Sequence, residues 1–168
     1  MGTNVWLVVA SQPMVRLENE DRLAYITSSP RNLTTGALMI TLPITTLLTS
    51  LLTIWLLVLT YNVIKRRQST SVSLEAGDDE TLRRRIRAHG NLTEYAPMMV
   101  LMTGLAEFQG GNFWIVGILA AMFLIGRLFH GYALSFSEHN PGGRIRGMIL
   151  TLIALVLMVA HNLVLLVF

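Results

Sequence analysis

"GALMITLPITTLLTSLLTIWLLVLTYNVI", Gly36 to Ile64, runs for 29 residues without a charge and is followed at once by "KRR", Lys65 to Arg67. About 20 apolar residues are enough to carry a helix across the hydrocarbon core of a bilayer. The stretch therefore predicts a transmembrane helix over about 38–64. Its threonines can bond back to carbonyls of their own helix, so they do not oppose insertion. Pro43 falls in the first turns or puts a mild kink there. Composition agrees: 52% of the 168 residues are hydrophobic and 14% charged, with a mean hydropathy of +0.54. A soluble domain carries about a quarter charged residues.

Downstream, "QSTSVSLEAGDDETLRRR" (Gln68 to Arg85) is a polar linker. Asp78 and Asp79 suit a helix start, because carboxylates favour the positive N-terminal end. The second helix is predicted over about 79–108, its charged first turns at or beyond the interface. Its apolar part, Ala88 to Ala106, is interrupted by His89, Asn91, Thr93 and Glu94. "EFQGGN" (Glu107 to Asn112) is a short turn, and a third helix follows over about 113–136. "SEHNPGGRIR" is the next loop, and a fourth helix is predicted over about 145–168. Upstream, residues 1–37 have one short apolar run, Val5 to Ala10, then mixed charge and turn formers. That segment reads either as a disordered tail or as sequence ahead of a translational start near Met39.

The predicted fold is thus an all-α integral membrane protein, a bundle of four transmembrane helices. Lysine and arginine in short loops set orientation. Seven lie in or beside the first loop (Lys65, Arg66, Arg67, Arg83, Arg84, Arg85, Arg87), and the second loop has none. The third loop holds Arg144 and Arg146. Loops one and three are expected in the cytoplasm, with both termini opposite. Basic residues clustered beside apolar runs point to membrane orientation rather than nucleic-acid binding. The absence of cysteine excludes disulfides, thiolate zinc sites and cysteine nucleophiles.

Arg87, Asn91 and Glu94 are spaced i, i+4, i+7 and share a helix face, with Tyr95 beside it. Arg127 and His130, spaced i, i+3, share a face of the third helix. Arg144 and Arg146 open the fourth helix at the same end. Charged groups at membrane depth face a bundle interior or a wet cavity and pair there. Two readings stay open. Glu94 pairs with Arg127 or Arg87 and only holds helices together, or the excess of arginine forms a pocket for an anionic, carboxylate-bearing ligand. Gly126 and Gly131 are expected to allow close helix approach. His161 and Asn162 are expected to cap or cross-link helices.

"RRRIRAHGNLTEYAPMM" resembles the second-helix signature of the MAPEG superfamily, the membrane-associated proteins in eicosanoid and glutathione metabolism. The signature reads Arg-x-x-x-Asn-x-x-Glu, often with an aromatic residue next and a proline shortly after: here Arg87, Asn91, Glu94, Tyr95 and Pro97. "GRLFHGYAL" is similar to the family's third-helix segment, giving Arg127 and His130. The likeness covers about Leu38 to Phe168 and is to short bacterial members that resemble microsomal glutathione transferases. It implies a homotrimer that binds glutathione, as co-substrate, between subunits. It further implies transfer of glutathione to lipophilic electrophiles, or reduction of lipid hydroperoxides, at the bacterial inner membrane. Arg87, Asn91, Glu94, Tyr95, Arg127 and His130 would hold the tripeptide, and Arg144 or Arg146 would stabilise its thiolate. No metal is implied. One departure is Leu134, where a tyrosine often stands; the nearest tyrosine, Tyr132, lies on another face. Some members are non-catalytic, and the alternative implied here is a polar face that binds lipid or joins subunits.

Overall fold

The computed structural model describes residues 41–137 and 140–167. The tail expected over 1–37 and the expected start of the first helix lie outside the described residues. Four helices follow in order: α1 (Pro43–Thr70), α2 (Glu80–Phe108), α3 (Phe113–Ser135) and α4 (Pro141–Val167). Pro43 stands at the start of α1, where its missing N–H costs nothing. Thr46, Thr49, Ser50, Thr53 and Thr60 each donate to the carbonyl four residues earlier, so these five hydroxyls are satisfied within the helix. The helix continues past Ile64 through the basic triplet and stops where Ser71 turns left-handed, φ 56°.

Asp79 caps α2 as its sequence suggests, accepting from the Leu82 N–H at 3.1 Å. Its carboxylate also receives Arg66 Nε at 2.8 Å. That guanidinium, bonded through its side chain, holds the Asp79 carboxyl below the usual carboxylate range. Arg67 Nη1 reaches the carbonyls of Ser73 (3.2 Å) and Glu75 (2.9 Å), so loop 1 is tied to the end of α1. The Arg83–Arg85 triplet is expected only to mark orientation, yet each member is used inside the molecule. Arg83 donates to Glu80 and Gly77, Arg84 to the Ser137 carbonyl, and Arg85 to the Asn62 carbonyl.

At the opposite end, Glu107 caps the start of α1. Its carboxylate accepts from Ile44 N–H (2.9 Å), Thr45 N–H (2.8 Å) and Thr45 Oγ1 (2.6 Å). Gly110, at φ 76°, lets the chain turn after α2, and Asn112 caps α3. Asn162 cross-links α4 to α2 through the Met102 carbonyl at 3.1 Å, the role expected of it. With Arg85 reaching α1's far half and Glu107 its start, α1 and α2 run antiparallel. The short turns then alternate direction through α3 and α4.

The tightest crossing joins α3 and α4. A Cβ placed on Gly147 would lie 2.6 Å from the His130 nitrogen, and one on Gly126 would lie 2.9 Å from the Gly147 carbonyl oxygen. Gly131 gives Trp55 its place: a Cβ there would meet the indole nitrogen at 2.8 Å. The core is apolar and continuous, with Leu52, Leu59, Leu92, Met99, Val116, Phe123, Ala154 and Met158 buried between helices. Outside, large apolar side chains are exposed on every helix, among them Leu57, Leu101, Ile118 and Val156. A surface this apolar is suited to lipid, not water. Three helices (α1, α3 and α4) are long and apolar enough to cross a membrane. α2, with 29 residues, is long enough but carries the charges of its first turns and Glu94, and it packs against all three others.

Candidate functional site

The face of α2 that begins with Glu80 continues through Arg83, Arg84, Arg87 and Asn91. At the same end, α3 brings His130 and Leu134, and α4 brings Arg144 and Met148. These nine residues line a cavity of about 340 Å³. That lies in the range of small-molecule sites, roughly 300–1,000 Å³. Four arginines and one glutamate line it, and the glutamate is already engaged by Arg83 at 2.6 Å. Arg87 and Arg144 are exposed and have no hydrogen-bond or ion-pair partner for their guanidinium groups among the described residues. Their charge is available to an anion, and the arginine fork matches a carboxylate.

The expected site residues divide. Arg87, Asn91, His130 and Arg144 line the cavity; Glu94, Tyr95, Arg127 and Arg146 do not. Arg146 is exposed and, two residues on from Arg144, lies about 200° around the helix, on the other side. Arg127 is 2% exposed and sits behind the cavity wall. Its Nε donates to Thr151 Oγ1 at 2.9 Å, and Nη1 reaches both oxygens of Asn91 at 3.4 Å. Nη2 lies 3.7 Å from the Met148 sulfur. The guanidinium carbon stands 5.1 Å from the Tyr95 ring centre and 5.9 Å from that of Phe123. The pairing of Arg127 with Glu94 is therefore not made within the chain. A buried guanidinium is held by neutral acceptors and ring faces instead, and it joins α2, α3 and α4.

Glu94 is exposed and makes no hydrogen bond or ion pair among the described residues. It lies about 21 Å along α2 from Glu80, at the depth of Tyr95 and Arg127.

His130 is 4% exposed. Its Nδ1 lies 3.1 Å from the Arg144 carbonyl, and its Nε2 is buried without a partner among the described residues. Leu134, in the place where a tyrosine is often found, presents an apolar side chain to the cavity, while Tyr132 is exposed and stacks on Phe136 at 5.5 Å.

Sequence reasoning missed the α2 residues before Arg87 and the α4 residues after Arg144. Both had a signal. Glu80, Arg84, Arg87 and Asn91 repeat at steps of four, three and four. Met148 and Thr151 follow Arg144 by four and seven, on the same face. A second, apolar groove of about 260 Å³ lies between α1 and α2, lined by Thr49, Thr53, Leu56, Ala96 and Pro97 among others.

A four-helix bundle with a lipid-facing exterior and an arginine-lined cavity at one end defines an integral membrane protein. The defining pattern of the MAPEG family matches residues 45–164, and the chain belongs to that family. It is similar to the "Inner membrane protein YecN" of Escherichia coli strain K12, at 35% identity over 103 residues, which cover 61% of this chain and 77% of that protein. The protein of the same name from Escherichia coli O6:H1 matches with the same figures.

Proposed function

We propose that the protein is a membrane-bound, glutathione-dependent transferase or peroxidase that acts on lipophilic electrophiles or hydroperoxides. The observation that carries this reading is the cavity in which Arg87 and Arg144 present two unpartnered guanidinium groups beside Asn91 and His130. Glutathione offers two carboxylates and a thiol. The arginines suit the carboxylates, and a guanidinium near the sulfur favours the thiolate, which is the nucleophile. Arg144 takes the thiolate-stabilising role in this reading and Arg146 does not. Arg127 acts by holding Asn91 and Met148 in the wall rather than by touching ligand.

The functional unit proposed is a homotrimer. Glu94, Met98, Leu101, Leu105 and Phe108 are all exposed and repeat at steps of four and three along α2. That spacing makes a seam for a neighbouring helix, and a second copy can supply the cation that Glu94 lacks. The surplus of arginine and lysine at the cavity end supports a cytoplasmic orientation for that end. By its likeness to a protein named for the inner membrane, this chain is assigned there too.

The test is a glutathione titration of protein purified in a detergent that preserves oligomers, followed by conjugation to a lipophilic electrophile. Saturable binding below millimolar and thiol consumption are expected. No binding at millimolar glutathione would sink the reading.

A further inference from the structure

Resting on the glutathione reading, we infer that His130 is the group that takes the thiol proton, through its Nε2. The Arg144 carbonyl oxygen, 3.1 Å from Nδ1, can only accept a hydrogen bond. Nδ1 therefore carries a hydrogen in every protonation state, and the neutral ring is the tautomer with a lone pair on Nε2. That nitrogen is the proton-exchanging atom, and it is buried with no partner. The ring itself belongs to the wall of the arginine-lined cavity. A histidine fixed at one nitrogen by a backbone carbonyl, with the other unpaired in the wall of a ligand site, has the arrangement of a general base.

The charged groups facing His130 come from three elements: Arg87 of α2, Arg127 of its own α3, and Arg144 of α4. All are cations; Glu80, in the same cavity, is held by Arg83, so among the described residues no carboxylate pairs with the ring. The thiol transfers its proton to Nε2. The S–H bond breaks, its electron pair stays on sulfur, and an Nε2–H bond forms. The resulting thiolate lies beside Arg87 and Arg144, which stabilise its charge, and the thiolate in turn offsets the new imidazolium. With a lipophilic epoxide as co-substrate, the S–C bond forms as the C–O bond opens. The Nε2 proton then passes to the alkoxide oxygen, which returns the ring to its starting tautomer. No oxidant or other reactant is needed.

His130→Asn tests this, because the amide can still donate to the Arg144 carbonyl while nothing replaces Nε2. S-methylglutathione, which has no thiol proton, serves as the control ligand. Its affinity for His130→Asn and for wild type fixes the concentrations at which both are compared at equal occupancy. The ultraviolet thiolate band that glutathione produces on binding should be lost near pH 7, and the conjugation rate should fall about 100-fold or more. The mutant rate should then climb with pH as the bulk thiol, with a pKa of about 8.5, ionises, while the wild-type rate levels off earlier. His130→Gln, which also lacks a basic nitrogen, serves if the asparagine variant does not fold, and it should lose the band likewise. Equal thiolate band and equal pH profile in wild type and His130→Asn would overturn the proton-acceptor role while leaving the glutathione reading intact. Failure of wild type to bind either glutathione or its S-methyl derivative would overturn both.

Discussion

Gly147→Ala should be among the most disruptive single-methyl changes in the bundle. The added carbon would lie 2.6 Å from the His130 nitrogen, 2.7 Å from the Gly126 carbonyl oxygen and 3.0 Å from the His130 Cα. All three are backbone atoms, so no side chain can swing away. An ordinary contact needs about 3.4 Å, so α3 and α4 must part by roughly 0.8 Å. A gap of that size forfeits about a quarter to a half of each dispersion contact across the crossing. It also stretches the 2.9 Å bond from Arg127 to Thr151, which spans the same two helices. Overpacking costs about 1–3 kcal/mol and a weakened bond to a charged group about 1.5–3 kcal/mol at most, so roughly 3 kcal/mol of destabilisation is expected. Gly90→Ala is the matched control. A Cβ there meets nothing within 4 Å, and alanine in a helix is favoured over glycine by about 1 kcal/mol. Reversible unfolding in mixed micelles, followed by helicity and by Trp55 fluorescence, measures both. If Gly147→Ala were as stable as Gly90→Ala, the close crossing of α3 and α4 would be wrong.

Arg127→Lys loses the planar fork that reaches Asn91 and Thr151 together, and should cost about 2 kcal/mol in the same unfolding assay. Arg127→Met, which leaves no charge to satisfy, should be the milder change. Glu107→Ala uncaps α1 at two N–H groups and one hydroxyl; a loss of about 2 kcal/mol is expected, with Glu107→Gln in between. The Arg66–Asp79 pair gives a pH signature. Because the folded Asp79 carboxyl lies below its unfolded value of about 3.9, the folded state binds its proton less readily than the unfolded state. The pair's contribution is complete above about pH 4 and disappears as pH falls through the lower folded value. Amide exchange in loop 1, at residues 72–78, should therefore accelerate in acid, and Asp79→Asn should abolish that change.

The fold was legible because its strongest signal is long. A run of 29 uncharged residues has no soluble explanation, and loop chemistry divided the remainder. The ends were harder. "NPGG" reads as a turn, yet α4 starts at Pro141. Proline needs no donor at a helix start, and Asn140 Oδ1 caps the Gly143 N–H at 2.8 Å. Likewise "KRR" looks like a boundary, but arginine and lysine are good helix formers and α1 runs on to Thr70. Within the site, spacing correctly put Arg87 and Asn91 on one face. It could not tell which part of that face turns inward. Asn91 and Glu94 stand about 60° apart, enough to bury one against Arg127 and leave the other outside. Nor could spacing show that Arg127 takes Asn91, Thr151 and two ring faces in place of a carboxylate. That choice depends on α4, which supplies Thr151.

The two arginines that open α4 allow the most direct test that the cavity at the basic end holds an anionic ligand. Arg144 lines it and Arg146 does not. Glutathione affinity should be measured by calorimetry for Arg144→Ala and Arg146→Ala in the same detergent. A charge-assisted bond of about 1.5–3 kcal/mol corresponds to roughly a 10- to 150-fold loss for Arg144→Ala, with Arg146→Ala remaining within about 2-fold of wild type. Equal losses in the two variants, or a larger loss in Arg146→Ala, would contradict the assignment of the cavity as the binding site.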